Sequence, residues 1–188
     1  MPEVGHVRVI APTGQEFDFV PSLGAFNSLG TGPEIVQTAA DLFDRRPSVH
    51  VTAARCVMLA CHAGDGDITA LVGCLSEDGL DVPGAMPVAE LLAVTRHLVQ
   101  HGMAGKARPG GSRGQYAQDF SVAQHVAAAQ AHLGTSRAEA LAMTMTEMQL
   151  LIEAKFPEAK VREVPTREEY RKQVAAIMAR RKAKAGRV

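Results

Sequence analysis

The chain lacks tryptophan altogether, and aromatic residues make up only 4% of its 188 residues. Its three cysteines, Cys56, Cys61 and Cys74, are an odd number with no paired C-x-x-C spacing. No stretch reads as a signal peptide or is apolar enough to span a membrane. We therefore expect a protein with reduced thiols, located in a cytoplasm and without a membrane partner.

With so few aromatic rings, the core must be built from Leu, Val, Ile, Met and many alanines, which favours close-packed helices. The length suits one domain with a tail. The net charge is zero but is unevenly spread, because residues 165–188 carry eight Lys and Arg against two Glu. That segment has a net charge of +6, and the remainder therefore has −6.

The first 22 residues predict a β-hairpin. Val7 and Val9 alternate with Arg8, and a second alternating run around Phe17 and Phe19 follows the turn signal of residues 12–14. One face of this ribbon is apolar. Because an isolated hairpin is marginal in water, we expect it to pack on helices or to pair with a partner's sheet edge.

Residues 23–160 predict a helical domain. Its helical patterns cover residues 33–43, 48–61, 87–103 and 119–133, and the second of these is apolar nearly all round, so it is our candidate for the central helix. Residues 63–86 are irregular and acidic, and within them residues 68–75 fit a short helix or a strand equally well. Residues 105–115 form a glycine-rich basic loop, which is either simply solvated or becomes ordered on an acidic partner.

Residues 134–157 contain two helix starts, the capping boxes Ser136–Glu139 and Thr144–Glu147. After the second box, apolar side chains recur at helical spacing. They are Met145, Met148, Leu151, Ile152 and Phe156. This stripe is either part of the core or a pliable surface for another polypeptide. The second interpretation predicts that Met148→Asp abolishes partner binding and leaves folding cooperative.

Residues 161–188 predict a basic C-terminal helix and tail, with a third capping box at Thr166–Glu169. The expected fold is thus mainly α, with an N-terminal β-hairpin (1–22) packed on a helical domain (23–160). The basic helix (161–188) follows that domain.

No residue pattern predicts catalysis or a cofactor. His97 and His101 have a spacing that can place both on one metal ion, and Cys56, Cys61 and His62 are conceivable further ligands. The histidines are not separated by a glutamate as in H-E-x-x-H, so we expect neither a metal site nor an enzyme.

Residues 126–142 have the sequence pattern of a helix-turn-helix. The alternative function is therefore that of a DNA-binding protein. The second helix of that pattern carries Arg137 and Glu139, and residues 119–133 contain no Lys or Arg. Because phosphate contacts supply much of the binding free energy, the segment is poorly equipped for nucleic acid.

A resemblance to a known family runs along most of the chain. It rests on residues 19–23, 29–30, 33–36, 96–98, 101–102, 105–107, 109–110, 132–134, 136–137, 144–149, 155–157 and 165–170. In these segments the chain resembles small proteins encoded in siphophage tail modules, a family described as of unknown function or as tail assembly chaperones.

That resemblance implies a protein without enzymatic activity in the host cytoplasm. Tail chaperones are thought to bind the tape measure protein and tail tube subunits and to keep them soluble until the tube polymerises. The family brings no catalytic residues to transfer. A structural connector retained in the tail, and assembly as a homo-oligomer, stay open.

Overall fold

The computed structural model describes residues 4–105 and 119–157. The chain divides into two compact units, Met1–Lys155 and Phe156–Val188. The first is mainly α, with a two-stranded hairpin packed on helices, as the sequence predicts. Most of the glycine-rich loop and the whole predicted C-terminal helix and tail at 161–188 lie outside the described residues.

The N-terminal hairpin, which we call the first ribbon, consists of β1 (Val7–Ile10) and β2 (Glu16–Phe19). The strands are antiparallel, and Val9 lies opposite Phe17. Strand alternation places Val9, Phe17 and Phe19 on one face, and that face is buried in the core. The ribbon is joined to the helices through the Val20 amide, which donates to the Cys61 carbonyl at 2.7 Å.

Four helices follow the first ribbon. They are α1 (Leu23–Ser28), α2 (Gly32–Asp41), α3 (Pro47–Cys61) and the single turn α4 (Thr69–Val72). The predicted central helix, α3, packs against α1, α2 and α5 and buries Val57 and Met58 completely. The short helix α1 was not predicted; its N-terminus is capped by Ser22, which accepts from the Ala25 amide.

The acidic segment contains both alternatives that the sequence left open. After α4, the chain forms a second antiparallel hairpin, the second ribbon, from β3 (Cys74–Leu75) and β4 (Asp81–Val82). The turn closes where the Ser76 amide donates to the Leu80 carbonyl at 2.9 Å.

The rest of the first unit is helical. It comprises α5 (Val88–Val99), which continues into a π-helical turn (Gln100–Ala104), then α6 (Val122–Leu133), α7 (Arg137–Ala142) and α8 (Met145–Lys155). Gly134 ends α6 in the left-handed conformation, with φ 75°. Both capping boxes of the 134–157 stretch are present, because Glu139 and Glu147 accept from the amides of Ser136 and Thr144.

Candidate partner-binding surfaces

The first half of α8 belongs to the core. Met145 and Met148 are only 3% and 4% exposed, and α8 packs there against α6 and the π-helical turn. These two methionines of the predicted partner-binding stripe are therefore not on the surface of the folded protein. They fit the alternative interpretation of the stripe as part of the core.

Hydrogen bonds between Thr146, which is buried, and His101, which is half-buried, hold the same end of α8 in place. The hydroxyl of Thr146 donates to the main-chain carbonyl of His101 at 3.3 Å, and the ring Nδ1 of His101 lies 3.0 Å from that hydroxyl. Since the hydroxyl has one hydrogen, it accepts from Nδ1–H. Burial, and secondarily the charge of His97, lowers the pKa of His101 below its ordinary value. These two hydrogen bonds link the π-helical turn to α8.

The second half of α8, in contrast to the first, exposes apolar side chains to solvent. Leu150 and Leu151 are 38% and 45% exposed, and Ile152 is half-buried. Phe156, the last member of the predicted stripe, begins the second compact unit and has an exposed side chain. We call Leu150 and Leu151 the α8 surface.

The conceivable metal ligands do not come together. The ring centroids of His97 and His101 are 4.5 Å apart, but His62 packs against the rings of Phe17 and Phe19. Cys61 is buried, which raises the pKa of its thiol to about 12, while Cys56 is exposed on the same helix. Within residues 4–105 and 119–157, no three His, Cys, Asp or Glu side chains form a group that could hold a metal ion.

The second ribbon exposes large apolar side chains, which the sequence did not predict. Leu80 is 68% exposed, Leu75 is 56% exposed and Val82 is 43% exposed. The bond from the Ser76 amide to the Leu80 carbonyl extends the pairing one residue beyond β4. Because side chains alternate along paired strands, Leu80 and Val82 are then on one face, with Cys74 opposite Val82. Leu75 points to the other face, opposite Asp81.

A buried arginine fixes this ribbon to the central helix. The Arg55 side chain is only 8% exposed. Its guanidinium donates to the carbonyl of Val72 in α4 at 2.9 Å and to that of Cys74 in β3 at 3.5 Å. In β4 it donates to the Val82 carbonyl at 3.3 Å and to the Asp81 carboxylate at 2.5 Å. One planar group thus binds both strands and the turn before them, an arrangement that suits the five donors of arginine.

Close backbone packing supports the base of the ribbon. Gly73 has φ 82°, and a Cβ there would collide with the Val82 carbonyl and the Gly84 amide. Beyond it, the Ala85 and Met86 amides donate to the carbonyls of Ala70 and Leu71, both at 2.9 Å. The exposed leucines are therefore carried by an anchored element.

The tip of the second ribbon is negatively charged. Glu77 and Asp78 are exposed, and neither makes a salt bridge with any other residue in the described ranges. Asp81, in contrast to Glu77 and Asp78, forms a salt bridge, and its partner is Arg55 of the central helix. The Leu80–Val82 face is therefore adjacent to two carboxylates without a counter-charge from the described part of the chain.

A cleft of about 200 Å³ lies where the N-termini of α2 and α6 meet, lined by Thr31, Gly32, Asp119 and Ser121 among others. At the N-termini of both helices, side chains of the protein itself accept hydrogen bonds from backbone amides. Glu34 accepts from the Thr31 amide, and the Ser121 hydroxyl accepts from the Gln124 amide. The cleft therefore has a structural explanation in helix capping.

The helix-turn-helix alternative corresponds to α6 and α7. Residue Arg137 is the one Lys or Arg on these two helices, and α7 has only six residues. Its first turn is occupied by the Ser136–Glu139 capping box. Neither helix contributes a basic surface.

Comparison with known proteins identifies one relationship. A model for a family of unknown function (DUF6246) matches residues 44–172, which is more than half of the chain. The chain belongs to the DUF6246 family. The match covers the second ribbon and α8, and it begins after the first ribbon. No curated protein and no solved structure matched the chain.

Membership of DUF6246 assigns no activity to any residue. In the part of the chain that the structure describes, no helix combines the length and apolarity required to cross a bilayer. Within the segment that the family model matches, the second ribbon and the α8 surface each expose more than one large apolar side chain.

Proposed function

We propose that the protein is a non-enzymatic phage tail assembly protein that binds tail proteins such as the tape measure protein or the tail tube subunit. The resemblance to tail-module proteins motivates the assignment. The observation that carries it is the α8 surface, because Leu150 and Leu151 are 38% and 45% exposed directly after the buried methionines. The segment most similar to tail chaperones thus continues into exposed apolar side chains.

The geometry favours a helical or extended client rather than a small molecule. Exposed leucines on a helix can be covered by the apolar face of another helix, a common form of polypeptide recognition. The buried half of α8 fixes the orientation of this surface, so a client need not order it on binding.

The test is co-expression with the tape measure protein and, separately, with the tail tube subunit of the same phage. We expect co-purification and a larger soluble fraction of the client. Absence of both effects with both clients would contradict the proposal. Retention of the protein in purified virions would instead identify it as a structural connector.

A matched pair of variants locates the surface. Leu151→Asp should weaken client binding, whereas Gln130→Asp makes the same charge change at an exposed position of α6 and should not. Met148→Asp does not serve this purpose. Met148 is 4% exposed, and an aspartate there would unfold the protein rather than report on binding.

A further inference from the structure

We propose that the Leu80–Val82 face of the second ribbon is a docking site for a basic amphipathic polypeptide segment. The occupant presents apolar side chains to Leu80 and Val82 and Lys or Arg side chains to Glu77 and Asp78. This inference stands apart from the tail assembly role, because it follows from the ribbon itself.

The apolar part of the argument is the exposure of Leu80 and Val82, which are 68% and 43% exposed. A single exposed leucine is ordinary in a soluble protein, whereas adjacent ones on a fixed element are typical of interaction sites. Arg55 donates to the Cys74 carbonyl of β3 and to the Val82 carbonyl of β4, so both strands are held in place and the face does not collapse onto the core.

The charge of the occupant follows from the tip of the ribbon. Glu77 and Asp78 lie in the turn that precedes Leu80, and neither makes a salt bridge in the described ranges. These two carboxylates attract a cationic segment and repel nucleic acid.

The opposite face of the same ribbon supplies an internal control. Leu75 is 56% exposed, but it lies across from Asp81, whose carboxylate is already bound by Arg55. Leu75→Ser and Leu80→Ser therefore remove the same side chain from two faces of one element. Only the second change should affect the occupant.

The test measures binding to the full-length protein by isothermal titration calorimetry. The probe is a synthetic peptide of about 18 residues with leucines on one helical face and lysines on the other. A peptide with glutamates in place of the lysines is the charge control. We expect measurable affinity for the lysine peptide only, reduced when NaCl rises from about 50 to about 500 mM.

Leu80→Ser should lower the affinity about tenfold or more, and Leu75→Ser by less than about twofold. Glu77→Gln combined with Asp78→Asn should weaken binding about threefold to tenfold at low salt. Equal binding by both peptides, or equal effects of the two leucine variants, would overturn the proposal.

A second copy of the chain is the competing occupant, and sedimentation velocity of the protein alone decides it. If wild-type protein self-associates and Leu80→Ser is monomeric, the face is a homo-oligomer interface and the proposal is overturned. Because these side chains are exposed, the variants should fold, which circular dichroism checks. A tail assembly role that fails in co-expression leaves this peptide result unaffected.

Discussion

The two ribbons are both short antiparallel hairpins, yet they differ in how many of their apolar side chains they bury. The first ribbon exposes Ile10 but buries Phe17 and Phe19 in the core and is stabilised by that burial. The second ribbon exposes Leu80 and Val82 and is held by the hydrogen bonds of Arg55. An element that is anchored through polar contacts leaves its apolar side chains available for another molecule.

The two ribbons also differ in how their charged side chains are paired. On the first ribbon, Arg8 pairs with Asp18 at 2.7 Å and with Glu16 at 3.1 Å, so the outward face neutralises itself. On the second ribbon, the described structure gives Glu77 and Asp78 no such partner. The charged groups Arg8, Glu16 and Asp18 of the first ribbon are thus paired with one another, whereas Glu77 and Asp78 of the second ribbon have no salt bridge in the described ranges.

The largest loss of stability should come from a substitution on the buried face of the first ribbon. Phe19 is fully buried, so Phe19→Ala should lower the free energy of unfolding by about 3–5 kcal/mol, through lost transfer energy and a cavity. Urea unfolding followed by circular dichroism measures it. A loss under about 1 kcal/mol would mean that the first ribbon is not stabilised by burial.

Removal of the arginine should have the next largest effect, and a local one. Arg55→Met should cost about 1.5–3 kcal/mol, since hydrogen bonds from a charged donor to three carbonyls and a carboxylate are lost. Native hydrogen exchange should show loss of protection at residues 74–82 and little change at residues 7–10.

Arg55→Lys is the matched control, because lysine keeps the charge but not the planar fork of donors. It should restore only part of the protection. Equal loss of protection in both ribbons would show that Arg55 stabilises the core in general and not the second ribbon in particular.

The exposed leucines should contribute little to stability. Leu80→Ser should change the free energy of unfolding by no more than about 0.5 kcal/mol, in contrast to Phe19→Ala. Thermal unfolding is the measurement. A destabilisation comparable to that of Phe19→Ala would place Leu80 in the core and remove the contrast between the ribbons.

The smallest effect should come from the exposed ion pair. The hydrogen bond from Arg8, supported by its charge, holds the pKa of Asp18 below its ordinary value of 3.8. Since the folded carboxylate binds its proton at lower pH than the unfolded one, its stabilisation is complete above that value. It is lost as the pH falls through the folded pKa.

Wild-type protein and Arg8→Gln should therefore converge in stability as the pH falls from about 6 to about 2. Urea midpoints across that range measure the difference. A constant difference at every pH would show that Arg8 acts through packing and not through Asp18.

Elements with a strong local signal were predicted from the sequence. Alternation around Val9 and Phe17 indicated the first ribbon, and paired hydroxyl and carboxylate residues indicated the starts of α7 and α8. These signals involve residues only a few positions apart, so no tertiary information is needed to interpret them.

The second ribbon was missed for physical reasons. Its strands have two residues each, which is too short for a period to appear, although Asp78-Gly79 is a known hairpin turn signal. The bonds of Arg55 span 17 to 27 positions, so a lone arginine in an apolar helix gave no local signal of its role. The apolar stripe of α8 was visible, but its periodicity could not indicate that the helix passes from core to surface after Met148.

Hydrogen exchange of the protein alone and in complex with a co-expressed tail client tests the central claim most directly. The claim is that the exposed apolar side chains of the second ribbon and of the α8 surface bind other polypeptides. We predict slower exchange at residues 74–82 or 150–155 in the complex, with residues 7–10 unchanged. Identical exchange at both surfaces in a complex that forms would contradict it.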